Sequence, residues 1–322
     1  MKVKKIALEE HFMAPDFTDY WASTIVNISP DLSGKALGAL SDFGERRLKD
    51  MDDNGIEFAV LGLAGPGVQI EPDTALAVKR AREVNDFLVE KIALQPKRYG
   101  GLAHLAMQDP AAAADELERC VGQLGFSGAM INGTTNGVYL DDPSCEVFWE
   151  RAAALDAPVY IHPNNPADHP AMYEDHPELW GPVWSWGVET ATHALRLVFS
   201  GVFERHPNAT VILGHMGEAI PFQLWRIDGR WDIANRKGRT LAKPPSAYIR
   251  ENIVVTTSGV CSDEPLQCAL SALGSDRVLF SADYPFERTA EASHFIETAA
   301  VSDDVRQQIC WDNARRVLNL KV

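Results

Sequence analysis

The sequence predicts a (β/α)8, or TIM, barrel of the α/β class, formed by a single domain over residues 1–322. Three observations point to it. Eight short apolar runs rich in β-branched residues recur along the chain, helical patterns lie between them, and four of the runs end in acidic and imidazole side chains. None of the runs alternates cleanly between polar and apolar residues. Continuous apolar runs are the mark of strands buried on both faces, as in parallel sheets. A chain of 322 residues accommodates one such barrel or two medium domains.

The elements follow in order. The first run, Lys5–Leu8, leads directly into Glu9-Glu10-His11-Phe12. A long loop is expected over Asn27–Leu40. Asn54-Gly55 closes a helix just before the second run, Phe58–Leu63. Ala77, Ala81, Val84, Leu88 and Ile92 then form an apolar stripe at helical spacing. The third run is Gly100–Ala106. Asp109-Pro110 reads as an N-cap followed by Pro at the first helical position, Leu117, Val121 and Leu124 continue the helix, and Gly125 stops it. Runs four and five are Gly128–Asn132 and Pro158–Ile161. A second long loop, 163–182, is rich in Pro, His, Asn and aromatics and reads as a lid or an oligomer contact. A helix over Glu189–Phe203 precedes the sixth run, Thr210–Leu213. The last two runs are Ile253–Thr257 and Val278–Ser281. Eight β–α units favour the barrel over a doubly wound open sheet, which would carry a glycine-rich turn after its first strand.

Composition excludes several classes. With 30 Lys+Arg against 45 Asp+Glu the formal net charge is −15, which argues against nucleic acid or an acidic membrane surface as partner. No apolar run reaches the length of a membrane span. The basic start, Met1 to Lys5, is followed by only three apolar residues before Glu9, which argues against a signal peptide. Cys120, Cys145, Cys261, Cys268 and Cys310 are scattered and form no CxxC pair, as expected of reduced thiols in a cytoplasmic protein. No GxGxxG, GxxxxGK[ST] or GxSxG motif is present.

The candidate chemistry sits where the strands end. Strand one ends in Glu9-Glu10-His11, strand five in Tyr160-Ile161-His162-Pro163, strand six in Gly214-His215-Met216-Gly217-Glu218, and strand eight in Ser281-Ala282-Asp283-Tyr284-Pro285. Glu9 and His11 are two apart, so on a strand they share a face. In a barrel the C-terminal strand ends converge on one mouth, bringing Glu9, His11, His162, His215 and Asp283 together. Imidazole and carboxylate donors in one place suit a divalent metal such as Zn2+ or Mn2+. His104, His193, His206 and His294 lack partner patterns and read as structural, while His169 and His176 in the 163–182 loop are only candidates for contact with a substrate.

Ile6–Phe12, Tyr160–Pro163, Ile212–Glu218 and Leu279–Phe286 together resemble the amidohydrolase superfamily, and within it the metal-dependent decarboxylases of ortho-hydroxybenzoates. The likeness runs nearly end to end and includes Glu189-Thr190, His193–Leu197, Trp225–Asp228 and Thr256–Gly259. It implies that Glu9, His11, His162 and Asp283 ligate one divalent metal ion per chain, Mn2+ or Zn2+ first, with Mg2+ also admitted. It implies further that His215 and Glu218 form a supporting pair and that Arg226 helps hold a substrate oxygen. The pattern is broken at Asn164, where the resemblance leads one to expect arginine.

The implied substrate is a small aromatic carboxylic acid resembling 2,6- or 2,3-dihydroxybenzoate. Its carboxylate can leave as CO2 once the ring carbon that bears it is protonated, and an ionised ortho oxygen makes that carbon basic. Asp283 is the candidate general acid, His215 with Glu218 the groups that orient it or share its proton, and Arg226 suits carboxylate or phenolate recognition. Phe12 and Phe286 are candidates to pack on the ring. The alternative is a mononuclear hydrolase using the same ligands. Hydrolases of this fold commonly carry HxH on strand one. Here Glu9 takes the first position and no lysine stands at Tyr160–Pro163 to bridge two metals, which favours the lyase. A non-catalytic metal-binding scaffold is the third reading. Trp180, Trp184 and Trp186, in or near the lid loop, point to contacts between subunits of a homodimer or homotetramer.

Overall fold

The structure is a computed structural model and describes residues 3–22, 24, 30–234 and 236–322. Among these residues nine strands occur: β1 (Lys5–Phe12), β2 (Ile56–Leu63), β3 (Tyr99–Gly101), β4 (Ala103–His104), β5 (Ala129–Asn132), β6 (Val159–His162), β7 (Val211–Leu213), β8 (Ile253–Thr256) and β9 (Val278–Leu279). All pair in parallel, in the orders β1-β2-β3 and β4-β5-β6-β7-β8-β9.

The third run is broken where a single strand over Gly100–Ala106 was expected. Leu102 N–H donates to Leu61 O at 2.9 Å and Ala103 N–H to Gly128 O at 2.8 Å, so the chain changes partner from β2 to the β5 side within one residue. β3 and β4 therefore occupy one position in the barrel.

Side-chain phase defines the barrel interior. Ile6 and Leu8, Phe58 and Val60, Leu102, Met130, Tyr160, Ile212, Val254 and Leu279 form one cluster, with a contribution from every strand position. Ala314 and Leu318 of the C-terminal helical segment join this cluster, and Trp311, Val317 and Leu320 pack against it. Residues of opposite phase, such as Ala7, Ala59, Leu61, Ile131, Ile161, Val211 and Val255, belong to the outer core against the helices. β9 and β1 meet without a ladder: His11 N–H donates to Tyr284 O at 2.8 Å, and the Glu10 carboxylate accepts from Ala282 N–H at 2.9 Å.

The helices follow their sequence signals. Thr74–Leu94 is capped by Asp73, which accepts from Leu76 N–H, and Pro110–Gly122 by Asp109, which accepts from Ala112 N–H. The helix expected over Glu189–Phe203 is two, Ser185–Phe199 and Val202–Arg205, separated at Gly201. The expected loop Asn27–Leu40 is corrected over its described part, since Pro30–Leu40 is helical and buries Ala39 and Leu40; residues 27–29 lie outside the described residues, as do Met1 and Lys2. Segment 163–182 is irregular apart from the short turns Ala171–Tyr173 and Pro177–Leu179. Among the described residues no helix is long and apolar enough to cross a membrane.

Candidate metal centre

The centre begins with a bulge in β1. Leu8 pairs with Val60 and Glu10 with Leu61, so Glu9 has no partner across the ladder, and its φ is 72°. Had strict alternation held, the phase set by Ile6 and Leu8 would carry Glu9 and His11 to the helix side. One extra residue flips the phase and turns both into the barrel mouth. Glu9 is fully buried, and its Oε2 accepts from the Tyr160 hydroxyl.

Three other strand ends complete the floor. His162 closes β6, with its ring centroid 4.7 Å from that of His11 and its Nε2 3.7 Å from Glu9 Oε1. Asp283 follows β9 with φ 60°; its Oδ1 lies 3.2 Å from His11 Nε2 and its Oδ2 3.6 Å from His215 Nε2. After β7 every residue from His215 to Ala219 has positive φ, a left-handed turn that sets His215 Nδ1 2.7 Å from Glu218 Oε1. His215 N–H donates to Ser258 Oγ, and the ring lies over Gly259, where a Cβ would come within 2.9 Å of His215 Cδ2.

Donor atoms of Glu9, His11 and His162 lie within 4.8 Å of one another, and all three residues are buried. Glu9 Oε1, both His11 nitrogens, His162 Nδ1 and Asp283 Oδ1 are buried without hydrogen-bond partners. Buried polar atoms left unpaired are costly, and a divalent ion would satisfy several at once. Two imidazoles and the Glu9 carboxylate, with Asp283 beside them, fit such an ion. Burial pushes the Glu9 carboxyl up to about 6 and holds the His162 imidazole, beside His11, well below its ordinary value. At Asp283 burial opposes ionisation, but the adjoining His11 and His215 imidazoles hold the carboxyl below the carboxylate range. At His215 burial opposes charge, yet Glu218 and Glu9 hold the imidazole well above its ordinary value.

With this geometry in hand, the family described as Amidohydrolase matches residues 18–320. The chain belongs to the amidohydrolase family. This amidohydrolase is 43% identical over 329 residues to γ-resorcylate decarboxylase of Polaromonas sp. strain JS666, with 98% of each chain covered. Its fold matches the crystal structure of a 2,6-dihydroxybenzoate decarboxylase complexed with 2,6-dihydroxybenzoate, at TM-score 0.93 and 40% identity over 99% of this chain and 100% of that one. A dihydroxybenzoic acid decarboxylase from Polaromonas sp. JS666 with bound manganese and the inhibitor 2-nitroresorcinol matches at TM-score 0.92 and 41% identity, over 99% and 98% of the two chains.

In this amidohydrolase the floor opens into a cavity of about 940 Å³ lined by His162, His215, Glu218, Asp283 and Phe286, with Trp21, Trp180, Trp184 and Trp186 among its walls. Phe286 packs 5.4 Å from the His11 ring and 6.3 Å from Trp21. Not every expected residue joins. Arg226 is exposed on the helix Ile220–Trp231 and lines an adjoining cavity of about 350 Å³ that shares Ala191, Leu195, Glu218 and Ala219 with the first. Phe12 packs into the outer core against Phe43 and Phe87, away from the cavity. His169 packs against Trp180, His176 pairs with Glu178, and neither lines the cavity. His104 and His193 are buried and accept backbone N–H groups, from Val68 and Leu140. Sequence reasoning missed Tyr160 and Glu10, and also Arg47, a buried residue whose Nη2 donates to the His11 carbonyl. Tyr160 stands two residues before His162 and therefore points to the same face, which was the available signal; the two charged residues carried none.

Proposed function

We propose that this amidohydrolase is a cytoplasmic, divalent-metal-dependent decarboxylase of ortho-hydroxybenzoates such as 2,6- or 2,3-dihydroxybenzoate. Convergence of Glu9, His11, His162 and Asp283 at the floor of an aromatic-walled cavity carries the reading. Kinship with γ-resorcylate decarboxylases supports the substrate class, and the manganese in a relative supports Mn2+ ahead of Zn2+ or Mg2+.

Glu9, His11, His162 and Asp283 would hold the ion, one per chain. Bound there, a divalent ion would supply Lewis acidity and a template for a carboxylate oxygen and the neighbouring ortho oxygen. The protein supplies the rest. Phe286 and the tryptophan walls seat the ring and exclude water. No Lys or Arg is among the described lining residues, so the charge this chain itself sets opposite an acid substrate is the His215 imidazolium, held by Glu218. His215 Nε2 passes a proton to Asp283 Oδ2, and Asp283 delivers it to the ring carbon that bears the carboxylate. Loss of CO2 then restores aromaticity, and reversal carboxylates a phenol ortho to its hydroxyl. Exposed Phe222 and Trp225 on one helix, with Trp184 at the cavity rim, support assembly as a homodimer or homotetramer.

The deciding experiment is a hydroxybenzoate panel with metal-loaded protein. CO2 release is expected from 2,6- or 2,3-dihydroxybenzoate and not from benzoate or 4-hydroxybenzoate, and in D2O the product should carry one deuterium at the carbon that lost CO2. Comparable turnover of 4-hydroxybenzoate rules out the ortho-oxygen mechanism. Turnover of esters or lactones without CO2 release points to the hydrolase alternative.

A further inference from the structure

Behind β1, on the side away from the cavity, lies a buried guanidinium. Arg47, on the helix Glu45–Asp53, is 2% exposed. Its Nη2 donates to His11 O at 2.5 Å and its Nε to Asp42 O at 2.8 Å. Its Cζ lies 4.5 Å from the centroid of the Tyr284 ring, the residue directly after Asp283. Tyr284 O in turn accepts His11 N–H at 2.8 Å. His11 is thus held at both of its backbone groups, by Arg47 on one side and by the Asp283 segment on the other.

The arrangement is expensive if packing is its only purpose. Arg47 forms no ion pair among the described residues, and its Nη1 has no hydrogen-bond partner. The Glu10 and Asp42 carboxylates reach it only through space, and a buried cation without a paired, hydrogen-bonded carboxylate is less favourable than an apolar side chain of similar volume. It sits, moreover, between two segments of the centre that hold a non-glycine residue at positive φ, Glu9 at 72° and Asp283 at 60°. Such backbone persists only where its surroundings over-determine it.

We infer that Arg47 is a positioning residue for the metal centre: by gripping the His11 carbonyl and the Tyr284 ring together, it fixes His11 against Asp283 and so sets the affinity for the divalent ion. This inference rests on the metal reading proposed above.

The test measures Mn2+ dissociation constants from the EPR signal of free Mn2+, for the full-length wild type and for Arg47→Met, Arg47→Lys and Tyr284→Leu, each checked for native near-UV circular dichroism. Loss of an outer support of this kind weakens metal binding by roughly 10–100-fold. That weakening is expected in Arg47→Met, with partial rescue in Arg47→Lys, which keeps one donor for the His11 carbonyl. Tyr284→Leu, which leaves Arg47 in place but removes the ring it covers, should also weaken binding, and together with Arg47→Lys it decides the matter where Arg47→Met does not fold. A merely structural arginine would lower Tm without changing the affinity of the folded protein. Folded Arg47 and Tyr284 variants that bind Mn2+ as tightly as wild type overturn this inference alone. A wild type that binds no Mn2+ overturns the metal reading and this inference with it.

Discussion

His215 Nδ1 and Glu218 Oε1 lie 2.7 Å apart, joined across a turn whose five residues from His215 to Ala219 all have positive φ. Left-handed backbone costs about 1–2 kcal/mol per non-glycine residue. The chain accepts that cost four times here, Gly217 being the one glycine in the run. The result is a carboxylate–imidazole pair whose other nitrogen, Nε2, faces Asp283. Glu218→Gln keeps the shape and removes the charge. Turnover should fall roughly 10²–10⁴-fold, the range for a lost acid–base partner, while Mn2+ remains bound. Unchanged turnover would remove the pair from the proton path.

His162→Ala deletes an imidazole from the floor and leaves Glu9 Oε1 without its nearest cation-capable neighbour. Both metal content and decarboxylation should be lost, as read by elemental analysis and CO2 release. Exhaustive chelation of the wild type should do the same, with activity returning on addition of Mn2+ or Zn2+. Full activity in demonstrably metal-free protein contradicts the metal reading.

Asp283→Asn separates the ligand role from the acid role. Asparagine is the same size but cannot deliver a carboxylic proton, so turnover should drop roughly 10²–10⁴-fold or more. Glu9, His11 and His162 should still retain metal, measured by the same elemental analysis. Near wild-type turnover in this variant would transfer the acid role to His215.

Glu189 offers a pH signature remote from the donors. Burial pushes its carboxyl from 4.5 up to about 8, the neighbouring Tyr139 hydroxyl opposing the rise and the charge of Glu218 adding to it. A carboxyl raised in the folded state favours folding while it is neutral. Its contribution is complete below about pH 4.5 and is lost as pH rises through about 8. Glu189→Gln carries no such dependence. Its Tm relative to wild type should therefore climb across that window, measured by thermal melts on either side of it. A constant Tm difference would show that Glu189 ionises normally.

What the sequence by itself determined is the set of strands and the donors at their ends. The continuous apolar runs mark strands buried on both faces, and helix stripes separate them, one with its cap read at Asp109. Because barrel strands end at one rim, their order along the chain is enough to bring His162, His215 and Asp283 together. Tertiary structure alone decided the rest. Strict alternation on β1 would have turned Glu9 and His11 outward, and it is the bulge at Glu9, anchored by Tyr160 from 151 residues away, that turns them in. Residues Pro30–Leu40 include Gly34 and Gly38, weak helix formers, and the helix stands on the burial of Ala39 and Leu40. Arg226 matched an expectation about residue type, yet its helical phase leaves it exposed beside a second cavity. Glu10 and Arg47 look in sequence like solvated charges, and both are buried where β1 meets the Asp283 segment. The physical reason is common to all of them. Strand and helix periodicity is a local property of the chain, whereas the burial of a charge, the phase of a bulge and the direction of a side chain depend on partners distant in sequence.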